Sequence, residues 1–430
     1  MAVVRLSGNQ ALPIALRHLS VSGLEPRRAT FTKILSDKGL FVDEGIAILY
    51  PAPHSYTGET TVEVSCHGSL YVQQSLIDMF VGGGARLAEP GEFTMRAFLN
   101  GKLNLSQAEA VADLIDAVSP AQHRLAVSQL RGGYARKLTD LRARLLDLTS
   151  LLELELDFSQ EDVEFADRHE LQRIIRHIIR ETDSLLASFE RGDAIRRGVP
   201  VAIVGAPNVG KSTLLNALLE EERAIVSPQA GTTRDTVEET MIIDGVLFRL
   251  IDTAGLRHAE DDIERQGIER TRTAIGQAMV VVEVCDASSP GNCQPAVVCR
   301  PEQTLIRVFN KCDLSPASVK PAAVSDASAR VVCTSALRCE GIDELKSAIA
   351  DSVSSRGKQE MMLVNSRHKE ALLRVSQSLK VAADGIDSHL PADLVAVDLR
   401  DALYHLGTIT GEVTSDELLG NIFSRFCIGK

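Results

Sequence analysis

The sequence predicts a multidomain protein of α/β and α+β character: a doubly wound phosphate-loop domain inserted into a helical bundle, preceded by a small α+β domain. Three observations carry this. Residues 205–213, GAPNVGKST, follow the apolar run Val199, Val201, Ile203, Val204 and precede the helix-like LLNALLEEE, which is the strand–loop–helix setting of a phosphate-binding loop. Between residues 103 and 197 glycine and proline nearly vanish, and Leu, Ile and Ala recur at helical spacing over 108–118, 138–156 and 171–189, as in a bundle. Residues 1–102 instead mix short apolar strands (45–50, 61–65) with glycine and proline turns and one helix-like segment, 70–80.

In chain order the expected domains are 1–102, α+β; 103–197, helical; 198–355, the nucleotide domain; and 356–430, helical again. In the nucleotide domain, strands are expected at 241–243, 246–251, 279–284, 304–309 and 331–333, alternating with helices. Helical periodicity returns over 370–382, 392–407 and 415–426. The acidic residues 157–167 could pass for a metal site, but Phe158, Val163 and Phe165 are interleaved and no histidine is present. A solvated connection between helices is the favoured reading.

A length of 430 residues fits two or three domains. The formal charge of −12 argues against a broad basic surface for gripping nucleic acid. No run of 18 apolar residues exists, and the start MAVVRLSG does not read as a signal peptide, so no membrane role is expected. The cysteines at 66, 285, 293, 299, 312, 333, 339 and 427 are scattered without a CxxC pair. Neither a zinc site nor a disulfide framework is suggested, and a reducing cytoplasm is inferred.

The phosphate loop is joined by four more elements in the order a GTPase requires. Gly205 and Gly210 allow backbone N–H groups to turn toward phosphates, Lys211 would reach the β- and γ-phosphates, and the Ser212 hydroxyl would hold Mg²⁺. Thr233, after Thr232, could close on Mg²⁺ and the γ-phosphate. Asp252, Thr253, Ala254 and Gly255 end a strand, with Asp252 reaching Mg²⁺ through water and Gly255 facing the γ-phosphate. Asn310, Lys311, Cys312 and Asp313 end another, where the Asp313 carboxylate accepts two hydrogen bonds that guanine supplies and adenine does not. Thr334, Ser335 and Ala336 would present backbone N–H to the guanine oxygen. The full set of expected GTP or GDP contacts is Asn208, Val209, Gly210, Lys211, Ser212 and Thr213; Ser227, Pro228, Gln229, Ala230, Gly231, Thr232 and Thr233; Asp252 to Gly255; and Asn310, Lys311, Asp313, Ser335 and Ala336. Where Ras-like enzymes place a water-orienting glutamine, this chain has Leu256. Some other group must orient water, and some other cation must take the arginine finger's part.

The chain resembles the bacterial and organellar MnmE (TrmE) family of tRNA modification GTPases from near its first residue to its last. The stretches that carry the resemblance are PNVGKSTLLNAL, AIVSPQAGTTRD, IDTAGLR followed by DDIERQGIER, PGEFTMRAFLNGKLNLSQAEAVADLI and the terminal FCIGK. The first three are shared with Era-type GTPases. The resemblance implies K⁺-activated hydrolysis, with K⁺ held by Asn208 and by backbone oxygens of Ser227, Gln229 and Thr232, and with Glu264 positioning water. Without it, Asn208 would read equally well as a turn residue and Glu264 as a solvated charge. It further implies a homodimer, and a one-carbon tetrahydrofolate (5-formyl or methylene) bound at Arg5, Glu63, Lys102 and Lys430. The implied partner is the flavoprotein MnmG, in a heterotetramer that installs an aminomethyl or carboxymethylaminomethyl group at the 5-position of the wobble uridine, position 34, of certain tRNAs.

Family members usually begin earlier, with a strand and a glycine-rich turn leading into the VVRLSG strand, so the folate domain is expected either to lack an edge element or to have a misassigned start. Cys427 mimics a prenylation box, but Gly429 and Lys430 do not fit one and no polybasic segment precedes it. A catalytic thiol at Cys427 remains open beside a structural one. Two rival functions, an Era-like assembly switch and a lipid-anchored signalling GTPase, lack the expected basic RNA-binding domain and lipidation chemistry respectively.

Overall fold

The computed structural model describes residues 1–157, 168–219, 239–251, 272–288, 299–314, 330–354, 362–424 and 426. By contact density the chain divides into two compact units, one of residues 1–112, 129–175 and 377–430, the other of residues 113–128 and 176–376.

The first unit opens with an antiparallel sheet of β1 (Ala2–Ser7), β2 (Thr30–Leu35), β3 (Phe41–Tyr50) and β4 (Thr61–Cys66), in the order β1-β4-β3-β2. Side chains alternate across it. Leu6, Ile34, Ala47, Leu49, Val62 and Val64 point to one face, where they are buried with Ile14 and Ala15 of α1 (Ala11–Arg17) and Leu76 and Phe80 of α2 (Leu70–Gly82). Arg5 stands opposite Glu63 on the other face. The short helix α3 (Glu92–Leu99) begins at Gly91, whose φ of 68° is left-handed. A Cβ there would meet the Phe423 carbonyl oxygen at 2.8 Å and the Phe426 Cβ at 3.0 Å. Glycine is therefore required on both counts.

Helix α4 (Leu105–Asp116) follows, and α5 (Pro120–Leu130) belongs with the second unit. Ala121 N–H donates to the Gly245 carbonyl at 2.9 Å, and the Gln122 amide to the Arg196 carbonyl at 2.8 Å. The long helix α6 (Gly133–Asp157) buries Leu138, Leu141, Leu145, Leu148 and Leu152, a stripe at intervals of three and four residues. Each such leucine contributes roughly 1.5–3 kcal/mol. Helices α7 (Arg168–Ala187) and α8 (Phe189–Arg197) lead into the nucleotide domain.

That domain holds a six-stranded sheet. Its strands are β5 (Val199–Val204), β6 (Glu239–Ile243), β7 (Val246–Ile251), β8 (Val280–Asp286), β9 (Thr304–Asn310) and β10 (Arg330–Cys333), ordered β10-β9-β8-β5-β7-β6. Only the β6–β7 pair is antiparallel. Helices α9 (Lys211–Leu219) and α10 (Ile342–Ser354) cover one face, sharing a core with Val201, Phe248, Val282 and Ile306. The chain then returns through α11 (Ser366–Asp387), α12 (Ala392–Thr410) and α13 (Asp416–Phe423). Val395, Leu399, Leu406 and Ile409 form the buried side of α12, which packs on α6. Ser415 caps α13, its hydroxyl accepting from Leu418 N–H.

The expected strands of the nucleotide domain are present to within a few residues. Three elements lie outside the expected set: α1, β2 and α3. The connection expected at 157–167 lies, but for Asp157, outside the described residues. Among the described cysteines, 66, 299, 312, 333 and 339 are not disulfide-bonded, whereas Cys285 is, contrary to the expectation from spacing. No described helix is long and apolar enough to cross a membrane.

Candidate nucleotide and N-terminal sites

Strand β5 is almost wholly buried between β8 and β7, at the point where the chain switches direction across the sheet. Ligands of such sheets bind beyond the carboxyl ends of the strands. The phosphate loop leaves β5 there. At Gly205 (φ 151°) a Cβ would lie 2.3 Å from the Val284 carbonyl oxygen, and at Gly210 (φ 94°) it would lie 2.3 Å from Asn310 Nδ2. Both glycines are thus fixed by the backbone and by what it touches. Asn208, also left-handed at φ 64°, exposes its side chain at the loop surface. Val209 is buried beneath it. Lys211 opens α9 and donates to the Gly205 and Ala206 carbonyls at 2.9 and 2.8 Å. Burial pushes its ammonium below the usual lysine range. Ser212 and Thr213 sit exposed in the same first turn.

The residues expected to read guanine are stitched to this loop by Asn310. Its side chain is 2% exposed. Nδ2 donates to the Val209 carbonyl at 2.9 Å, while Oδ1 accepts from Ala336 N–H at 3.0 Å and from the Thr334 hydroxyl at 3.3 Å. One side chain therefore fixes three loops against one another. Asp313 follows in a short 3-10 turn (Cys312–Leu314), and its carboxylate accepts the Ser335 hydroxyl at 2.7 Å. Lys311, at φ 63°, donates to the Asn208 carbonyl and to Asp286, both at 2.7 Å.

Asp286 was not foreseen from sequence. It ends β8 directly opposite Asn310, so the signal was a carboxylate closing the apolar run VVVEVCD. Its burial works to raise its pKa, but Lys311 and the Ser288 hydroxyl and N–H outweigh this and hold the carboxyl below its ordinary range. The expected contacts Ser227, Pro228, Gln229, Ala230, Gly231, Thr232, Thr233, Asp252, Thr253, Ala254, Gly255 and Glu264 lie outside the described residues, as do Cys427 and Lys430.

In the first unit Arg5 and Glu63 are partners, with a 2.7 Å ion pair. They do not stand apart as two separately available charges. The Arg5 guanidinium also lies 5.9 Å from the Tyr56 ring centre and 5.4 Å from that of Phe93, within cation–π reach. Lys102 packs along Gly58, two residues from Tyr56. Phe426, which precedes Cys427, packs against Gly91, two residues before Phe93. A cavity of about 530 Å³ opens beside β1, with Arg5, Ile77, Phe80 and Phe93 in its wall. Glu92, also in that wall and 4% exposed, accepts from Arg86 at 2.6 and 2.8 Å, from Arg96 at 2.7 and 3.0 Å and from Glu89 N–H at 2.9 Å. Arg96 continues to Glu59 at 2.8 Å, which accepts the Ser7 hydroxyl. Sequence showed only the i,i+4 spacing of Glu92 and Arg96.

Two family models match the chain: the GTP-binding protein TrmE N-terminus over residues 1–102 and the MnmE helical domain over residues 105–427. Three curated relatives, each named tRNA modification GTPase MnmE, align along its whole length. The protein of Parabacteroides distasonis is 44% identical, covering 100% of this chain and 97% of its own. That of Flavobacterium johnsoniae is 44% identical over 100% and 96%, and that of Porphyromonas gingivalis 46% over 100% and 95%. With both family models and full-length relatives in agreement, the chain belongs to the MnmE (TrmE) family of tRNA modification GTPases.

Proposed function

We propose that this GTP hydrolase is a K⁺-assisted enzyme of tRNA wobble-uridine modification. The observation that carries the nucleotide reading is the Asn310 side chain, which locks the phosphate loop to the two loops expected to read guanine. In this reading Asp313 and Ser335 face the guanine edge and Ala336 N–H its oxygen. Lys211 exchanges its loop carbonyls for phosphate oxygens. Ser212 and Thr233, with Asp252 through water, would hold Mg²⁺, and Asn208 with Ser227, Gln229 and Thr232 would hold K⁺. Asn208 suits that part because its amide oxygen is exposed at the loop surface and free to face a hard cation. When bound, K⁺ supplies the positive charge that an arginine finger gives other GTPases. Glu264 orients the attacking water in place of the glutamine that Leu256 replaces.

Domain boundaries at 102, 197 and 355, with the nucleotide domain inserted into the helical one, are part of the same reading. So are a cytoplasmic homodimer and a flavoprotein partner, MnmG. A tetrahydrofolate one-carbon donor fits the first unit, where Arg5 and Glu63 offer paired donor and acceptor groups beside the Tyr56 and Phe93 rings. Lys102 and Lys430 complete that site, and Cys427 is the candidate catalytic thiol. The test is GTP turnover with K⁺ or Na⁺ as sole monovalent cation, together with mass analysis of tRNA nucleosides from a deletion strain. Turnover about tenfold or more faster in K⁺ is expected, a modest part of what an arginine finger supplies. Equal rates would remove K⁺ from the mechanism, and unchanged wobble uridines would remove the tRNA assignment.

A further inference from the structure

Two free thiols lie on the neighbouring loops assigned to guanine. Cys312 sits inside the Asn310–Asp313 motif, and Cys333 ends β10 immediately before Thr334. Strand register places Cys333 opposite Phe309, and Cys312 N–H donates to the Thr334 carbonyl at 3.1 Å. The Cys312 thiol donates to the Phe309 carbonyl at 3.2 Å, and Phe309 is the residue that strand register pairs with Cys333. Cys333 is exposed and Cys312 half-buried, so reagents in solution can reach the pair. Neither thiol has a part in nucleotide binding or hydrolysis as described above. The described side-chain links between these loops run through Asn310 and Asp313, beside backbone bonds from Cys312 N–H to the Thr334 carbonyl and from Thr334 N–H to the Phe309 carbonyl.

We propose that Cys312 and Cys333 form a thiol–disulfide pair across the base-reading loops, and that its oxidation by a peroxide lowers the affinity for guanine nucleotide. The exposed Cys333 sulfur attacks one peroxide oxygen, giving a sulfenic acid and releasing one water after protonation. The Cys312 sulfur then displaces the hydroxyl of that sulfenic acid as a second water, closing the S–S bond. Two thiols lose two electrons and two protons, and one hydrogen peroxide becomes two waters. Burial raises the Cys312 thiol, which suits the second, resolving position.

Closing the two sulfurs to an S–S length of about 2 Å draws Cys312 toward β10. It also removes the donor now held by the Phe309 carbonyl. Asp313 is the next residue in the same tight turn, and its carboxylate is aimed by the Ser335 hydroxyl at 2.7 Å, with the Arg338 guanidinium farther off at 3.9 Å. Turning it out of register misplaces the acceptor for guanine. The effect on affinity rests on the guanine assignment proposed above, whereas formation of the bond does not.

The experiment treats the full-length protein with hydrogen peroxide, maps disulfides by peptide mass spectrometry and titrates a fluescent GDP analogue before and after, with dithiothreitol reversal. A Cys312–Cys333 cross-link is expected, with affinity lowered about tenfold or more, the loss of one misplaced charged hydrogen bond. Cys333→Ser should keep its affinity under peroxide, while Cys339→Ser, a control on the same loop, should respond like the parent. Absence of the cross-link, with both thiols alkylated in the reduced protein, overturns the pair. A cross-link without loss of affinity overturns the control of nucleotide binding. If the reduced protein binds adenine and guanine nucleotides alike, the guanine assignment fails, and the mass spectrum still decides the disulfide.

Discussion

Replacing Glu92 by glutamine should unseat the floor of the N-terminal site. The carboxylate is buried, receives five hydrogen bonds from Arg86, Arg96 and the Glu89 N–H, and opens α3, where a negative charge is favoured. Arg86 does most, against burial and with help from Glu89 N–H and Arg96, to bring its carboxyl from 4.5 down to about 2. A displacement of that size carries about 3 kcal/mol of stability for the ionised form. Glutamine keeps the shape but sets an NH₂ against two guanidinium groups, so Glu92→Gln should cost about 3–5 kcal/mol at pH 7, as breaking a buried pair does. The folded pKa is depressed, so the contribution is full above pH 4.5 and is lost as pH falls toward about 2. The gap between parent and variant should therefore shrink by about 2 kcal/mol between pH 7 and pH 3. Urea unfolding followed by tyrosine emission is a suitable assay. The chain has no tryptophan, and its five tyrosines, at 50, 56, 71, 134 and 404, all lie in the first unit. A gap that is absent at pH 7, or unchanged at pH 3, would refute the reasoning.

Three further outcomes follow from the two sites. Gly210→Ala combines a left-handed backbone with a Cβ 2.3 Å from Asn310 Nδ2. It should weaken GTP binding by about tenfold or more through loss of the Asn310–Val209 link, measured by fluorescent-nucleotide titration. Asp313→Asn should lower guanine binding by about 2–4 kcal/mol and relax base preference; unchanged affinity would mean that this turn does not read the base. Arg5→Ala removes the partner of Glu63 and the cation over two rings. Calorimetry should show weaker 5-formyl-tetrahydrofolate binding at unaltered GTP turnover, and no binding by the parent chain would dismiss the folate site.

The nucleotide domain was legible because each of its parts has its own punctuation. Buried parallel strands read as continuous apolar runs, and glycine or an Asn-Lys-x-Asp turn closes them at the ligand edge. The N-terminal domain hides its elements differently. Helix α1 (ALPIALR) is only seven residues long and carries a proline in its first turn, and α3 (EFTMRAFL) lacks a side-chain cap. In β2 the exposed Phe31 blurs the alternation set by Thr32 and Ile34. Helix α5 was assigned to the bundle by its lack of glycine, yet its hydrogen bonds run to Gly245 and Arg196, which composition cannot report.

The same limit explains the sites. Motif spacing identifies Asn310 but not its task, since only the fold brings it to Val209 and Ala336, which lie 101 and 26 residues away in sequence. Asp286 and Glu92 escaped notice because a lone carboxylate has no signature until its cation is placed beside it. Arg5 and Glu63 make the point most sharply. As separate residues they suggest two ligand contacts of opposite sign. Cross-strand register makes them one unit, so a ligand must either displace that pair or bind it whole. A flat, hydrogen-bonding ring with adjacent donor and acceptor can do the latter, lying beside Tyr56 and Phe93, without exposing an unpaired charge. That preference for binding the intact pair is a constraint on the ligand's chemistry that neither residue carries alone.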